Sequence, residues 1–133
     1  RGKLFSKYTR KLTDFKNVHI YNKFLNSEEI REVQNKNGVF LYPKRGDSQG
    51  VSRCEAMASG LVPIASDVEA ISEFSPRESA YLVKSVNEFI YALLDIYNNP
   101  KEYLKKSSFG EKFIRNKCNY DETIKKEIDI LVK

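Results

Sequence analysis

Lys44–Asp67 reads KRGDSQGVSRCEAMASGLVPIASD. A loop with a carboxylate, Asp47, and a glycine, Gly50, runs into a short helix of small residues expected over Val51–Ser59. That helix carries a second carboxylate, Glu55, stops at Gly60 and gives way at once to an apolar strand, Leu61–Ala65. A helix start leaves backbone N–H groups without intrahelical partners and carries the positive end of the helix dipole, so such a loop suits an anion. Val51, Cys54, Ala58 and Leu61 recur three, four and three residues apart and form the expected buried side. Glu55 stands outside that series and so faces the crevice at the strand ends, where open α/β sheets bind ligands. At about 1.5 Å per residue, Glu55 sits roughly 6 Å past the helix start, within reach of the same ligand.

Outward from this stretch, strands alternate with helices. Upstream, residues 3–14 read as a basic amphipathic helix, with Leu4, Phe5, Tyr8 and Leu12 at helical spacing, and Asn17–Tyr21 (NVHIY) as a short strand. A helix follows from Asn26-Ser27-Glu28-Glu29, with Asn26 or Ser27 as its N-cap. Val39–Tyr42 (VFLY) is a continuous apolar strand of the kind that parallel sheets bury on both faces. Downstream, Glu69–Phe74 can make a helical turn or two, and Ala80–Val83 is a fourth strand. Val86–Tyr97 is an amphipathic helix with Phe89, Ile90, Leu93, Leu94 and Tyr97 as its apolar set. Lys101–Lys117 is the next helix. Tyr120–Val132 is the last, capped by Asn119 or Asp121, with Ile124, Ile128 and Leu131 inward. Alternation of this kind means βα units with right-handed crossovers. The expected fold class is therefore α/β, a Rossmann-like parallel sheet flanked by helices and ending in C-terminal helices.

Two acids separated by seven residues, with glycine shortly after the first and Ala-Met after the second, resemble the donor-site signature of retaining glycosyltransferases with two Rossmann-like domains. This is the group 1, or family 4, class of the GT-B type. Asp47 and Glu55 hold the acid positions, Gly50 the glycine, and Ala56-Met57-Ala58-Ser59-Gly60 follows. One position departs: the first acid is usually Glu, and Asp47 is one methylene shorter. The resemblance runs from Asn17 to about Leu131. It implies that residues 1–133 are the C-terminal nucleotide-sugar-binding domain, one half of a GT-B fold. It also implies a fragment that lacks its first strand and the N-terminal acceptor domain.

Roles follow from the resemblance. Glu55 would bind the ribose hydroxyls, and Asp47 the donor-sugar hydroxyls near the reacting carbon; these are the candidate catalytic acids. The backbone of Gln49, Gly50, Val51 and Ser52 would meet sugar and diphosphate oxygens, and Arg45 would add positive potential. Tyr21 and Asn22 occupy the region that meets the nucleobase. The implied partners are a nucleotide sugar and an acceptor sugar, glycolipid or polysaccharide reached through the other domain; nucleic acid is not among them. No metal or other cofactor is expected, since no Asp-x-Asp is present. The expected location is cytoplasmic, or at the inner face of a membrane.

Composition narrows the field without choosing within it. At 133 residues the chain is one domain or most of one. A net charge of +5, from 23 basic and 18 acidic side chains, favours anionic partners. No apolar run is long enough to span a membrane, and RGKLFSKYTRKL has no signal-peptide core. Cys54 and Cys118, without a Cys-x-x-Cys, and a single histidine, His19, supply neither a zinc set nor a Ser-His-Asp triad. Cys54 is expected as a buried thiol and His19 as a structural residue in a strand. Two other classes fit the residues. One is a nucleotide- or phosphate-binding module of the same fold without activity. The other is a basic domain for membrane or nucleic acid, for which the cations are too evenly spread along the chain.

Overall fold

A computed structural model describes residue 7 and residues 9–132. The chain divides into two units, residues 1–30 and 31–133.

In the first unit Arg10–Leu12 form a 3-10 turn. The basic helix expected over residues 3–14 falls largely outside the described residues. Asn17–Tyr21 is not the expected strand; its backbone is irregular, and His19 is exposed. A β-rich composition makes a strand only where a neighbouring ladder takes up the backbone groups, and among the described residues this unit has none. Helix α1, Ser27–Asn35, opens here on a capping box. Asn26 Oδ1 accepts the Glu29 amide and the Glu29 carboxylate accepts the Asn26 amide, each at 2.9 Å. Lys23 pairs with Glu29, and that bond is the first cause holding the Glu29 carboxyl below its ordinary pKa.

The second unit runs β1 (Val39–Tyr42), α2 (Val51–Ala58), β2 (Val62–Ser66), α3 (Ile71–Phe74), β3 (Tyr81–Val83), α4 (Val86–Asn98), α5 (Pro100–Lys117) and α6 (Tyr120–Leu131). The strands form one parallel sheet in the order β1-β2-β3, with Val39 opposite Val62 and Ile64 opposite Tyr81. This is the α/β architecture expected, a parallel sheet between helices with further helices at the C-terminal end.

Successive side chains of a strand point to opposite faces, and the two faces have different covers. Phe40, Tyr42, Ala65 and Leu82 pack with Ile71 of α3 on one side. Val39, Ile64, Tyr81 and Val83 pack with Phe89, Ala92 and Ile96 of α4 on the other. Cys54 and Met57 of α2 meet Ile114 of α5 in a third cluster. Residues Val62–Ala65 of the central strand are fully buried, and each large apolar side chain so buried contributes about 1.5–3 kcal/mol.

Three expectations change here. The run VFLY predicted burial on both faces, but β1 is an edge strand and Leu41 is 51% exposed. In α4 the covered side is Phe89, Ala92 and Ile96, while Ile90, Leu93, Leu94 and Tyr97 are exposed. The helix has apolar residues enough for two stripes, and the sheet covers one. In α6, Asn119 is the cap, accepting the Glu122 amide, but Ile128 and Leu131 are exposed rather than inward.

Because all three strands are parallel, the segments after β1 (43–50), β2 (67–70) and β3 (84–85) leave from the same end of the sheet. Among the described residues no helix is long and apolar enough to cross a membrane.

Candidate functional site

The site begins with the way α2 is started and stopped. Gly50 is its N-cap, at φ +69°. A Cβ there would lie 3.2 Å from Arg53 Cζ and 3.2 Å from Tyr42 Oη, so glycine is required by the backbone and by its own neighbours. The Arg53 and Cys54 amides bond to the Gly50 carbonyl at 2.9 and 3.1 Å. Among the described residues the Val51 and Ser52 amides meet no acceptor of the chain, as expected for the first positions of a helix. At the other end Gly60, at φ +83°, closes a Schellman turn. Leu61 N–H donates to the Ala56 carbonyl (3.0 Å) and Gly60 N–H to the Met57 carbonyl (2.9 Å).

Asp47 sits in the loop ahead of the helix, half-buried. The Tyr42 hydroxyl, at the end of β1, donates to its Oδ2, and the Ser48 amide donates to its Oδ1 at 2.8 Å. The Tyr42 bond comes first in holding the Asp47 carboxyl below its ordinary value; Ser48, Lys44 and Arg53 act the same way, against partial desolvation. Burial first, and then the Asp47 carboxylate, push the Tyr42 hydroxyl up. The loop is also tied to the next strand's exit. The Lys44 amide donates to Ser66 Oγ at 2.9 Å and the Asp47 amide to Glu69 Oε2 at 2.8 Å.

Beneath the loop lies Arg53, 0% exposed. The expected buried side of α2 included Val51 and Ala58. In the structure Val51 is 61% exposed and Ala58 half-buried, while Arg53, Cys54, Ala56 and Met57 are buried. Arg53 Nη2 donates to the Gln49 carbonyl at 2.8 Å. Among the described residues its Nε and Nη1 meet no hydrogen-bond partner; the guanidinium instead stacks over the Tyr42 ring, with Cζ 5.4 Å from the centroid. A cation on an aromatic face regains part of what desolvation takes, and burial is what lowers the Arg53 pKa.

Glu55 is exposed, as expected, on the face of α2 that it shares with Val51 and Ser52 at i−4 and i−3. It lines a depression of about 450 Å³ with Gln49, Val51, Cys54, Arg115 and Cys118. Cys54 is the buried thiol expected, and desolvation pushes it up to about 11. Arg45 lies elsewhere, on a cavity of about 680 Å³ with Lys44, Ser66 and Lys84 at the strand ends. The structure thus groups Gln49, Val51 and Glu55 on one depression and Arg45 on another. Asp47 stands in the loop before the helix, bound to Tyr42. Tyr21 and Asn22 belong to the other unit. Among the described residues no three His, Cys, Asp or Glu side chains gather as a metal set.

The roles of three residues around Asp47 escaped the sequence reading: Tyr42, the buried Arg53 and Glu69. Tyr42 carried a usable signal, as the last strand residue before an acid-bearing loop. Arg53 had none, since charge argues for exposure. Glu69 depends on a backbone angle that sequence does not display.

The sequence profile of the glycosyl transferases group 1 family matches residues 2–99, which include Asp47, Gly50 and Glu55. No curated protein matches the chain in sequence. Among solved structures it is similar to the C-terminal domain of a glycosyl transferase group 1 family protein, LpcC, from Francisella tularensis. The TM-score is 0.72 at 20% identity, over 86% of this chain and 60% of that one. At that identity the likeness bears on the fold, one half of a GT-B architecture, of which the chain spans about three-fifths of the solved example. The family match covers well over half of the sequence: the chain belongs to the group 1 glycosyltransferases.

Proposed function

We propose that this chain is the donor-binding domain of a retaining glycosyltransferase, which passes a sugar from a nucleoside diphosphate to an acceptor hydroxyl presented by a second domain. One observation supports this most: two carboxylates, Asp47 before the helix and Glu55 one turn inside it, flank the uncommitted Val51 and Ser52 amides. A sugar nucleotide matches that order, with sugar hydroxyls at Asp47, phosphates at the amides and ribose hydroxyls at Glu55. As the glycosidic bond breaks, charge gathers on the leaving phosphate oxygens. Amides already oriented by the helix lower the energy of that charge without having to reorganise. In this reading no metal is needed. Asp47 stays ionised, because Tyr42 donates to it, and so can accept from sugar hydroxyls.

Calorimetric titration of the full-length protein with UDP, GDP and ADP and their glucose or mannose conjugates tests the reading. One nucleotide series is expected to bind. Glu55→Ala should then weaken the diphosphate and its conjugate alike by about tenfold or more, the worth of charge-assisted hydrogen bonds to ribose. Asp47→Ala should weaken only the conjugate. Absence of binding throughout the panel, or indifference to Glu55→Ala, would end it.

A further inference from the structure

Glu69 is the one described non-glycine residue with a positive φ, +43°. L-residues enter this region at a cost, and such outliers persist where surrounding structure holds them. The residue is exposed, so burial does not hold it there. Its carboxylate does have a task. Glu69 Oε2 accepts the Asp47 amide at 2.8 Å across 22 residues of sequence, and Oε1 lies 3.0 Å from where a Cβ at Gly46 would stand. The left-handed turn after β2 aims a side chain from one strand exit onto the backbone of another. Tyr42 fixes the Asp47 carboxylate from below, and Glu69 fixes the peptide that carries it. Gly46 leaves the room this approach needs.

We infer that Glu69 is a positioning residue, which holds the Asp47 backbone so that the Asp47 carboxylate is pre-aimed at the donor sugar. The part about the sugar rests on the proposed function. The hold on the Asp47 amide does not, and the two are separable by experiment. Glu69→Asn keeps a residue that tolerates left-handed backbone but is one methylene too short to reach. Glu69→Gln keeps the length and a carbonyl oxygen able to accept the amide.

The first readout is hydrogen exchange at the Asp47 amide in the ligand-free full-length protein. Glu69→Asn should speed it about tenfold or more, the loss of one charge-assisted bond, and Glu69→Gln should largely restore protection. Unchanged exchange in Glu69→Asn, or equal loss in both variants, overturns the inference. The second readout is the affinity of UDP-glucose relative to UDP, and of GDP-mannose relative to GDP. Glu69→Asn should lower the conjugate's affinity several-fold while the bare diphosphate keeps its own, and Glu69→Gln should recover the ratio. A loss shared equally by conjugate and diphosphate would make Glu69 a structural residue only. If the wild type binds ADP-glucose instead, the same ratio is read against ADP; if it binds nothing in the whole panel, the proposed function falls, and the exchange result alone decides the hold on Asp47.

Discussion

The two ends of helix α2 are built in opposite ways. At its C-terminal end the exposed carbonyls are taken up. Ala56 and Met57 are closed by the Gly60 turn, Ala58 accepts from Arg115 Nη2 at 2.7 Å, and Gly60 accepts from Ser107 Oγ at 2.6 Å. Ser59 Oγ donates to Gln34 Oε1 at 2.8 Å. At the N-terminal end two amides are left without an acceptor, and the neighbouring polar groups work on the loop. Tyr42, Glu69 and Arg53 all bond to residues 47–49, and none of them takes up the Val51 or Ser52 amide. Hydrogen bonds at the closed end stabilise the helix. Those at the open end orient a loop around donors that are still available. The first amides of any helix lack intrahelical partners and, where exposed, meet water or a ligand, so the open end holds the donors that the proposed function assigns to the phosphates.

The comparison can be broken at several points. The largest effect is expected from Arg53→Ala, which empties a fully buried space under Tyr42 and leaves the Gln49 carbonyl with only the weak Cys54 thiol donor. Urea denaturation should show a loss of about 3 kcal/mol. A loss under about 1 kcal/mol would mean that the open end is not braced from beneath. Next is the pair of glycines. Gly50→Ala meets both an unfavourable φ and contacts at 3.2 Å, and should cost about 2–3 kcal/mol. Gly60→Ala has a similar φ, but its new Cβ meets only Ser107 Oγ at 3.5 Å, and should cost about 1–2 kcal/mol. Equal costs would erase the distinction between the ends.

A smaller effect is tied to pH. The folded Asp47 pKa lies below its ordinary 3.8, so this carboxylate's contribution is whole above that value and fades as pH falls through the lowered one. Tyr42→Phe removes the first cause of the shift. Its stability should fall short of wild type at neutral pH and converge with it in acid, once the carboxyl is protonated in both. Curves that run parallel through the acid range would show that Tyr42 does not act through Asp47. The smallest effect belongs to Glu55→Ala. Glu55 is exposed and forms no ion pair among the described residues, so its removal should change stability by about 0.5 kcal/mol at most. Arg115→Ala, at the closed end, should cost about 1 kcal/mol through the lost Ala58 carbonyl bond. A Glu55 variant that unfolds more readily than the Arg115 variant would reverse the roles of the two ends.

Much of the fold could be read along the chain because its signals are local. Gly60 before an apolar run stops α2, Asn26 with Glu29 starts α1, and Asn119 starts α6; each acts within a few residues of itself. The misreadings arose where a local pattern had two physical outcomes. NVHIY has strand composition but no ladder. VFLY reads as central yet lies at the edge, and α4 carries more apolar surface than the sheet covers. At the site, the spacing left Glu55 outside the expected buried series, and it is exposed; the same series wrongly buried Val51, which lies at i−4 on the face of Glu55.

By itself, then, the chain of residues determined the alternation of strand and helix, the start and stop of α2, and the two acids eight positions apart, since capping, periodicity and glycine conformation are short-range effects. Tertiary structure alone decided what surrounds Asp47. Tyr42 comes from the strand before it, Arg53 turns inward against its usual preference for water, and Glu69 reaches across from the next strand exit. The Glu69 contact exists only once parallel pairing has brought separate loops to one end of the sheet, and no pattern within a single segment can encode a neighbour that arrives from another.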